Sequence, residues 1–240
     1  MRNRLQSDNA CQRGGSPRHQ IFTKLRISDP GSNCLWDYTD ICVFLICVVA
    51  LGAFFQLAIP LHILRPGALR QPPATLQALV LVWVILALYV SLRIRRGGAI
   101  WRALGWTLPS CRHLLGALLG GTLWGGVVGL VVGPKIYISS PHIPLNLLAL
   151  AVTLGPVAEE SFFRGCLLPL VARTCGIPAA VILTALVFAA FHQPLTLLQC
   201  ACFAVSGILY GGVRVVSGST TAAALMHCAY NLSLFACQRM

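Results

Sequence analysis

Two adjacent glutamates, Glu159 and Glu160, are the only carboxylate side chains in the last 200 residues of this sequence, against 12 Lys and Arg; the other four acids precede Ile41. They stand in Pro156-Val157-Ala158-Glu159-Glu160-Ser161-Phe162-Phe163-Arg164-Gly165. Neighbouring side chains on a helix diverge by about 100°, so the two acids cannot share one partner and one role. Glu160 lies four residues before Arg164 with the acid N-terminal, the arrangement that best suits an ion pair on one helix face. Glu159 is left without a local counter-charge. In a low-dielectric cavity such an acid is placed to take a proton from water. Further on, Phe188-Ala189-Ala190-Phe191-His192 sets a phenyl ring one turn before an imidazole. His227-Cys228-Ala229-Tyr230-Asn231 then puts an imidazole and a carboxamide on one helix face. Each motif alone is ordinary, since a lone His in an apolar helix is commonly a hydrogen-bonded core residue. Together they supply a carboxylate base, proton-carrying imidazoles and hydrogen-bond donors, the set that amide hydrolysis requires.

The elements that must position these groups are membrane helices. Of the 240 residues 57% are hydrophobic and 10% charged, whereas a soluble domain carries roughly 25% charged residues. This excludes a soluble nucleic-acid binder despite the net charge of +12. Apolar runs without acidic or basic side chains cover residues 41–64, 74–92, 114–134, 143–158, 177–192, 195–213 and 219–238. A helix needs about 20 such residues to cross the hydrocarbon, so the chain is expected to be an all-α, polytopic membrane helix bundle with about 6–7 transmembrane helices. Breakers such as Arg65-Pro66-Gly67, Gly97-Gly98, Gly133-Pro134, Gly176 with Pro178, and Gln193-Pro194 separate the runs. The fourth is expected to continue through both acids to about Arg173. The fifth, at about 24 Å, is too short to cross and leaves His192 buried beside a non-helical turn. Gly116, Gly120, Gly121, Gly125, Gly126 and Gly129 in the third run include GxxxG spacings that let helix backbones approach closely. Each intramembrane ionisable group costs at least ~2.5 kcal/mol to insert, so a cluster of them is expected to have a task.

Residues 1–40 read as a basic, disordered cytoplasmic tail and 41–240 as one transmembrane domain. Arginines 93, 95, 96, 102 and 112 in the 93–113 loop put that loop and the tail in the cytoplasm. Among them Ile100, Trp101, Leu104 and Trp106 suit a short helix in the headgroup region. Arg173 and Arg214 read as charges of the later loops. Eleven cysteines without a CxxC pair argue against structural zinc, and Cys42, Cys47, Cys200, Cys202, Cys228 and Cys237 are expected to be small buried hydrophobes.

The three motifs, EESFFR at 159–164, FAAFH at 188–192 and HCAYN at 227–231, resemble in order the EExxxR, FxxxH and HxxxN of the CAAX-prenyl-protease and bacteriocin-processing (CPBP) family of intramembrane endopeptidases. Phe163-Arg164-Gly165 and Ser217-Gly218-Ser219-Thr220-Thr221 fit as well, and the resemblance covers about 141–235. It implies hydrolysis of a peptide bond in a membrane-associated peptide or lipidated protein, including prenylated CAAX substrates. Glu159 would activate water with help from His227, and His192 and Asn231 would hold the oxyanion. Glu160, Arg164 and Phe188 would support. No cofactor is required on this reading, although Glu159, His192 and His227 could alternatively ligate Zn²⁺; HExxH is absent. The implied setting is the lipid bilayer, as a multi-pass protein of the plasma membrane. Two rival readings remain: a proton or cation carrier using the glutamate pair, with Gly155-Pro156 breaking its helix, and a non-catalytic membrane scaffold.

Overall fold

The computed structural model describes residues 37–58, 82–90, 93, 100–132, 145–192 and 196–237, and the regular elements among them are all helical. Helix α1 (Tyr38–Ala58) starts on a reciprocal cap. The Asp40 N–H donates to Asp37 Oδ1 and the Asp37 N–H to Asp40 Oδ2, both at 2.9 Å, which satisfies donors that a helix start leaves open. Residues 82–90 are helical. There follow α2 (Ile100–Ala103), α3 (Cys111–Val132), α4 (Leu145–Val152), α5 (Leu154–Glu160), a π-helical segment (Ser161–Leu167), α6 (Leu168–Cys175), α7 (Ile177–Phe191), α8 (Leu197–Ser217) and α9 (Thr220–Cys237). Most of the proposed tail, the 65–73 loop and the Gly133-Pro134 and Gln193-Pro194 breakers lie outside the described residues.

Among the described residues two helices are long and apolar enough to cross a membrane, Cys111–Val131 of α3 and the whole of α8; α7 is shorter, as its sequence predicts. The expected 6–7 crossings are not reproduced among these residues, partly because the runs at 41–64 and 74–92 extend outside them. Along α3 an outward row of Leu115, Leu119, Leu123 and Val127 is exposed, the face that hydrocarbon would cover. The opposite side holds the close glycines. A Cβ on Gly121 would lie 2.2 Å from Met226 O, one on Gly125 2.3 Å from Tyr230 O, and one on Gly129 2.7 Å from Cys237 Cβ. This four-residue stripe therefore lies directly against α9, and the two helices form the most extensive helix pair.

Helix α8 opens with a capping box: the Gln199 N–H donates to Thr196 Oγ1 at 3.2 Å and the Thr196 N–H to Gln199 Oε1 at 3.1 Å. It closes at Gly218, whose φ of 69° suits a residue without Cβ. The helix thus runs four residues past the apolar run at 195–213, and Arg214, expected in a loop, is inside it and 1% exposed. The cysteine expectation also needs correction. Cys202 is buried, but Cys42 is exposed and Cys200, Cys228 and Cys237 are half-buried; Cys166 is buried completely. A thiol on a lipid-facing surface meets hydrocarbon as it would in a core, so an apolar run does not say which way its cysteines point.

The short α2 is amphipathic as expected, with Ile100 buried and Trp101 and Arg102 exposed. Its following turn is clasped to the start of α9. The Thr220 N–H donates to Gly105 O at 2.9 Å, Thr220 Oγ1 to Leu104 O at 2.5 Å, and Ser219 Oγ to Thr107 O.

Candidate active site

The segment carrying both acids is helical from Leu145 to Cys175 but not one uniform span. It breaks at Thr153 (φ −120°, ψ −75°) and changes to π-helix at Ser161. A proline accounts for the first departure, and a second ends the π ladder. Pro156 has no N–H to give the Val152 carbonyl, and the break falls within the preceding turn. Pro169 cannot serve as the π-register donor, five residues on, to the Arg164 carbonyl; Arg214 Nε donates to that carbonyl instead, at 3.3 Å. Within the wide turn, Cys166 Sγ donates to Ser161 O at 3.2 Å. Gly165 presses on the turn after α2, where a Cβ would lie 2.9 Å from Leu104 O. Trp106 Nε1 reaches across to donate to Ser161 Oγ at 3.1 Å.

Glu160 and Arg164 pair as their spacing predicts. Arg164 Nη1 donates to Glu160 Oε1 at 3.0 Å, with both side chains 0% exposed. Arg164 Nη2 donates to Gly207 O at 2.8 Å, and the guanidinium lies 4.8 Å from the Phe188 ring centroid and 5.3 Å from that of Tyr210. Hydrogen bonding to carboxylate and carbonyl, with aromatic faces above, is what makes a buried guanidinium tolerable. The same Glu160 Oε1 faces His227 Nδ1 at 2.9 Å. A carboxylate has no proton to give, so Nδ1–H donates and Nε2 is left for other partners.

Glu159 has different company. Its Oε2 lies 3.7 Å from His192 Nε2, and the two side chains are 31% and 25% exposed. His192, at the C-cap of α7, faces Phe188 O with Nδ1 at 2.8 Å. Nδ1–H is the donor to that carbonyl, so Nε2 is the ring nitrogen turned toward Glu159. The imidazole is held between Phe188 and Phe203, at 4.4 and 4.3 Å between ring centroids. One expectation is thereby corrected: His192 is partly open rather than buried. His192 stands beside Glu159, while His227 is engaged by Glu160. The helix end after Phe191 aims His192 back at the acids, whereas His227 meets the face of the segment that carries Glu160.

One cavity of about 240 Å³ is lined by Glu159, His192, His227 and Asn231 together. Asn231 follows His227 by one turn of α9, and Phe188 forms part of the wall. The remaining lining is mostly apolar, including Leu150, Phe203, Leu234 and Phe235. Glu160 and Arg164 lie behind this lining. Among the described residues no group of three or more His, Cys, Asp or Glu side chains that could hold a metal ion is found.

Several residues of the site were not singled out from sequence. Tyr210 lines the cavity and stacks on His227 at 4.6 Å and 19°; Gly207 supplies a carbonyl to Arg164; Ser206 lines the cavity and accepts from Trp124 Nε1 at 2.8 Å. Ser206, Tyr210 and Arg214 recur every four residues on α8, a polar stripe legible in an otherwise apolar helix. Residues 141–233, which contain all three motifs, match the family model described as Rce1-like, type II CAAX prenyl endopeptidase Rce1-like. Neither the curated proteins nor the solved structures give a match.

Proposed function

We propose, on the match of residues 141–233 to the Rce1-like CAAX prenyl endopeptidase model, that this chain is an integral-membrane CAAX-type protease that hydrolyses a peptide bond with water held between Glu159 and His192. The observation that carries the reading is the 3.7 Å gap between Glu159 Oε2 and His192 Nε2 on the wall of the shared cavity. Two acceptors face each other there, too far apart for a direct hydrogen bond and within reach of one water making two ordinary bonds of about 2.8 Å. Such a water gives a hydrogen to each and presents its oxygen lone pairs to the cavity. As oxygen attacks the scissile carbonyl carbon, Glu159 takes a proton. The carbonyl π pair moves onto oxygen. When the tetrahedral adduct collapses, the C–N bond breaks and the Glu159 carboxyl returns its proton to the leaving amine.

His227 and Asn231 serve the oxyanion. With Nδ1 facing Glu160, His227 turns Nε2 to the cavity, and a proton on Nε2 as the reaction proceeds would be donated to the oxyanion. Asn231 contributes its amide N–H. This exchanges the two histidine roles implied by the resemblance, and geometry is the reason: the imidazole beside the base belongs to residue 192. The substrate is a membrane-associated, prenylated CAAX-type peptide whose scissile bond enters the cavity. The N-terminal tail and the 93–113 loop face the cytoplasm.

The test is Glu159→Gln, nearly isosteric, in proteoliposomes with a farnesylated CAAX peptide and release of the C-terminal tripeptide as readout. Loss of the base should lower kcat by about 10²–10⁴-fold with insertion and thermal midpoint preserved. Turnover at the unsubstituted rate would refute the reading. The break at Thr153 is a feature a carrier would share. Ion flux that depends on Glu159 or Glu160 in vesicles, with no cleavage, would favour that alternative.

A further inference from the structure

The hydroxyl of Tyr210 is a buried polar atom with no hydrogen-bond partner, on a residue 1% exposed that lines the cavity. Leaving such a group unpaired costs about 1–3 kcal/mol, and native structures rarely leave one so unless something transient completes it. Phenylalanine would fill the same space without that cost. The ring is fixed on every side: stacked on His227, edge-on to Phe188 at 6.1 Å and 89°, edge-on to Tyr230 at 6.3 Å, and under the Arg164 guanidinium. Tyr210 is also within electrostatic reach of Tyr230, Glu160, Arg164 and Glu159. A second buried atom nearby, Glu160 Oε2, likewise lacks a hydrogen-bond partner.

We propose that Tyr210 is a further catalytic residue, its O–H donating to the oxygen of the reacting carbonyl as negative charge develops there. The inference rests on the hydrolytic reading above. The water between Glu159 and His192 uses both hydrogens on acceptors and needs no further donor, whereas the oxyanion, with its three lone pairs, does. Stacking puts Tyr210 on the same side of the cavity as His227, so phenol and imidazole serve one oxygen. The aromatic packing holds the phenol in place before substrate arrives, which is what makes an oxyanion donor effective.

Tyr210→Phe removes one oxygen and keeps the stack. On the farnesylated peptide, kcat should fall about 10²-fold, the cost of one oxyanion donor, while KM stays within twofold and the thermal midpoint does not drop. Affinity for a tetrahedral phosphonate analogue of the scissile bond should fall in parallel with kcat. Unchanged kcat, or a loss that comes with a raised KM and a lowered midpoint, would overturn the proposal and assign the phenol to packing. Glu159→Gln run beside it separates the two ideas. If that variant cleaves normally, the hydrolytic reading itself fails; if it is inactive while Tyr210→Phe cleaves normally, only the role of Tyr210 falls.

Discussion

Glu159 and Glu160 are neighbours in the chain with unrelated surroundings, and the difference was half legible. Spacing alone gives the pair with Arg164, because i and i+4 meet on any helix. The partner of Glu160 across 67 residues, His227, is legible only as a motif, since nothing in a local sequence says which distant helix will face it. Glu160, Arg164 and His227 form one buried charge system, and its energetics can be tested by removing charges singly and together. Arg164→Met leaves a carboxylate buried beside one imidazole and should destabilise by about 3–5 kcal/mol, because an uncompensated buried charge is the expensive product. Adding Glu160→Gln removes that charge. The double variant should recover a large part of the lost thermal midpoint in detergent. A double variant no more stable than Arg164→Met would show that the arginine acts through its packing on Phe188 and Tyr210.

At the scale of elements, apolar runs locate α3, α7 and α9 to within a few residues, because a helix in lipid is written as an uninterrupted apolar stretch. They misplace the end of α8, where a buried Arg214 interrupts hydropathy without interrupting the helix. The π-segment was not legible at all: a proline at 169 signals a lost donor, but the replacement comes from Arg214 on another helix. The glycines of α3 show a similar limit. Six of them look alike in sequence, yet only some meet α9. Gly125→Leu should push α9 away, carry His227 and Asn231 out of register, and abolish cleavage together with a lowered thermal midpoint, because the clashing atom is the Tyr230 carbonyl and cannot rotate aside. Gly116→Leu on the same helix meets nothing within 4 Å and should leave both activity and stability near their original values. Equal tolerance of the two substitutions would contradict the close packing of α3 on α9.

For the whole molecule, four separate pieces of chain converge on one end of the bundle. The start of α1 reaches the end of α6, where Tyr38 and Thr174 share a hydrogen bond of 2.7 Å. The turn after α2 is tied to the start of α9 by Gly105 and Thr220. Close contact of Gly207 with Ala185 and of Gly211 with Val181 runs α8 antiparallel to α7, which brings Ser217 back beside Ile177. Exposed Arg102, Arg112 and Arg173 lie at this end; the first two belong to the 93–113 loop, and the positive-inside rule applied to that loop would turn this end to the cytoplasm. His227 is seven residues into α9, about 10 Å along the helix from that end, which sets the proposed chemistry within the bilayer but nearer the basic face. Cys111 and Cys175 are both free and exposed there, on α3 and α6. Variants retaining one or the other as the sole cysteine should react with a membrane-impermeant maleimide only after intact cells are opened, and to a similar extent. Labelling of the two from opposite faces would mean that the bundle does not cross the membrane in the sense drawn from its loops, and the cavity would then have to be approached from the other side.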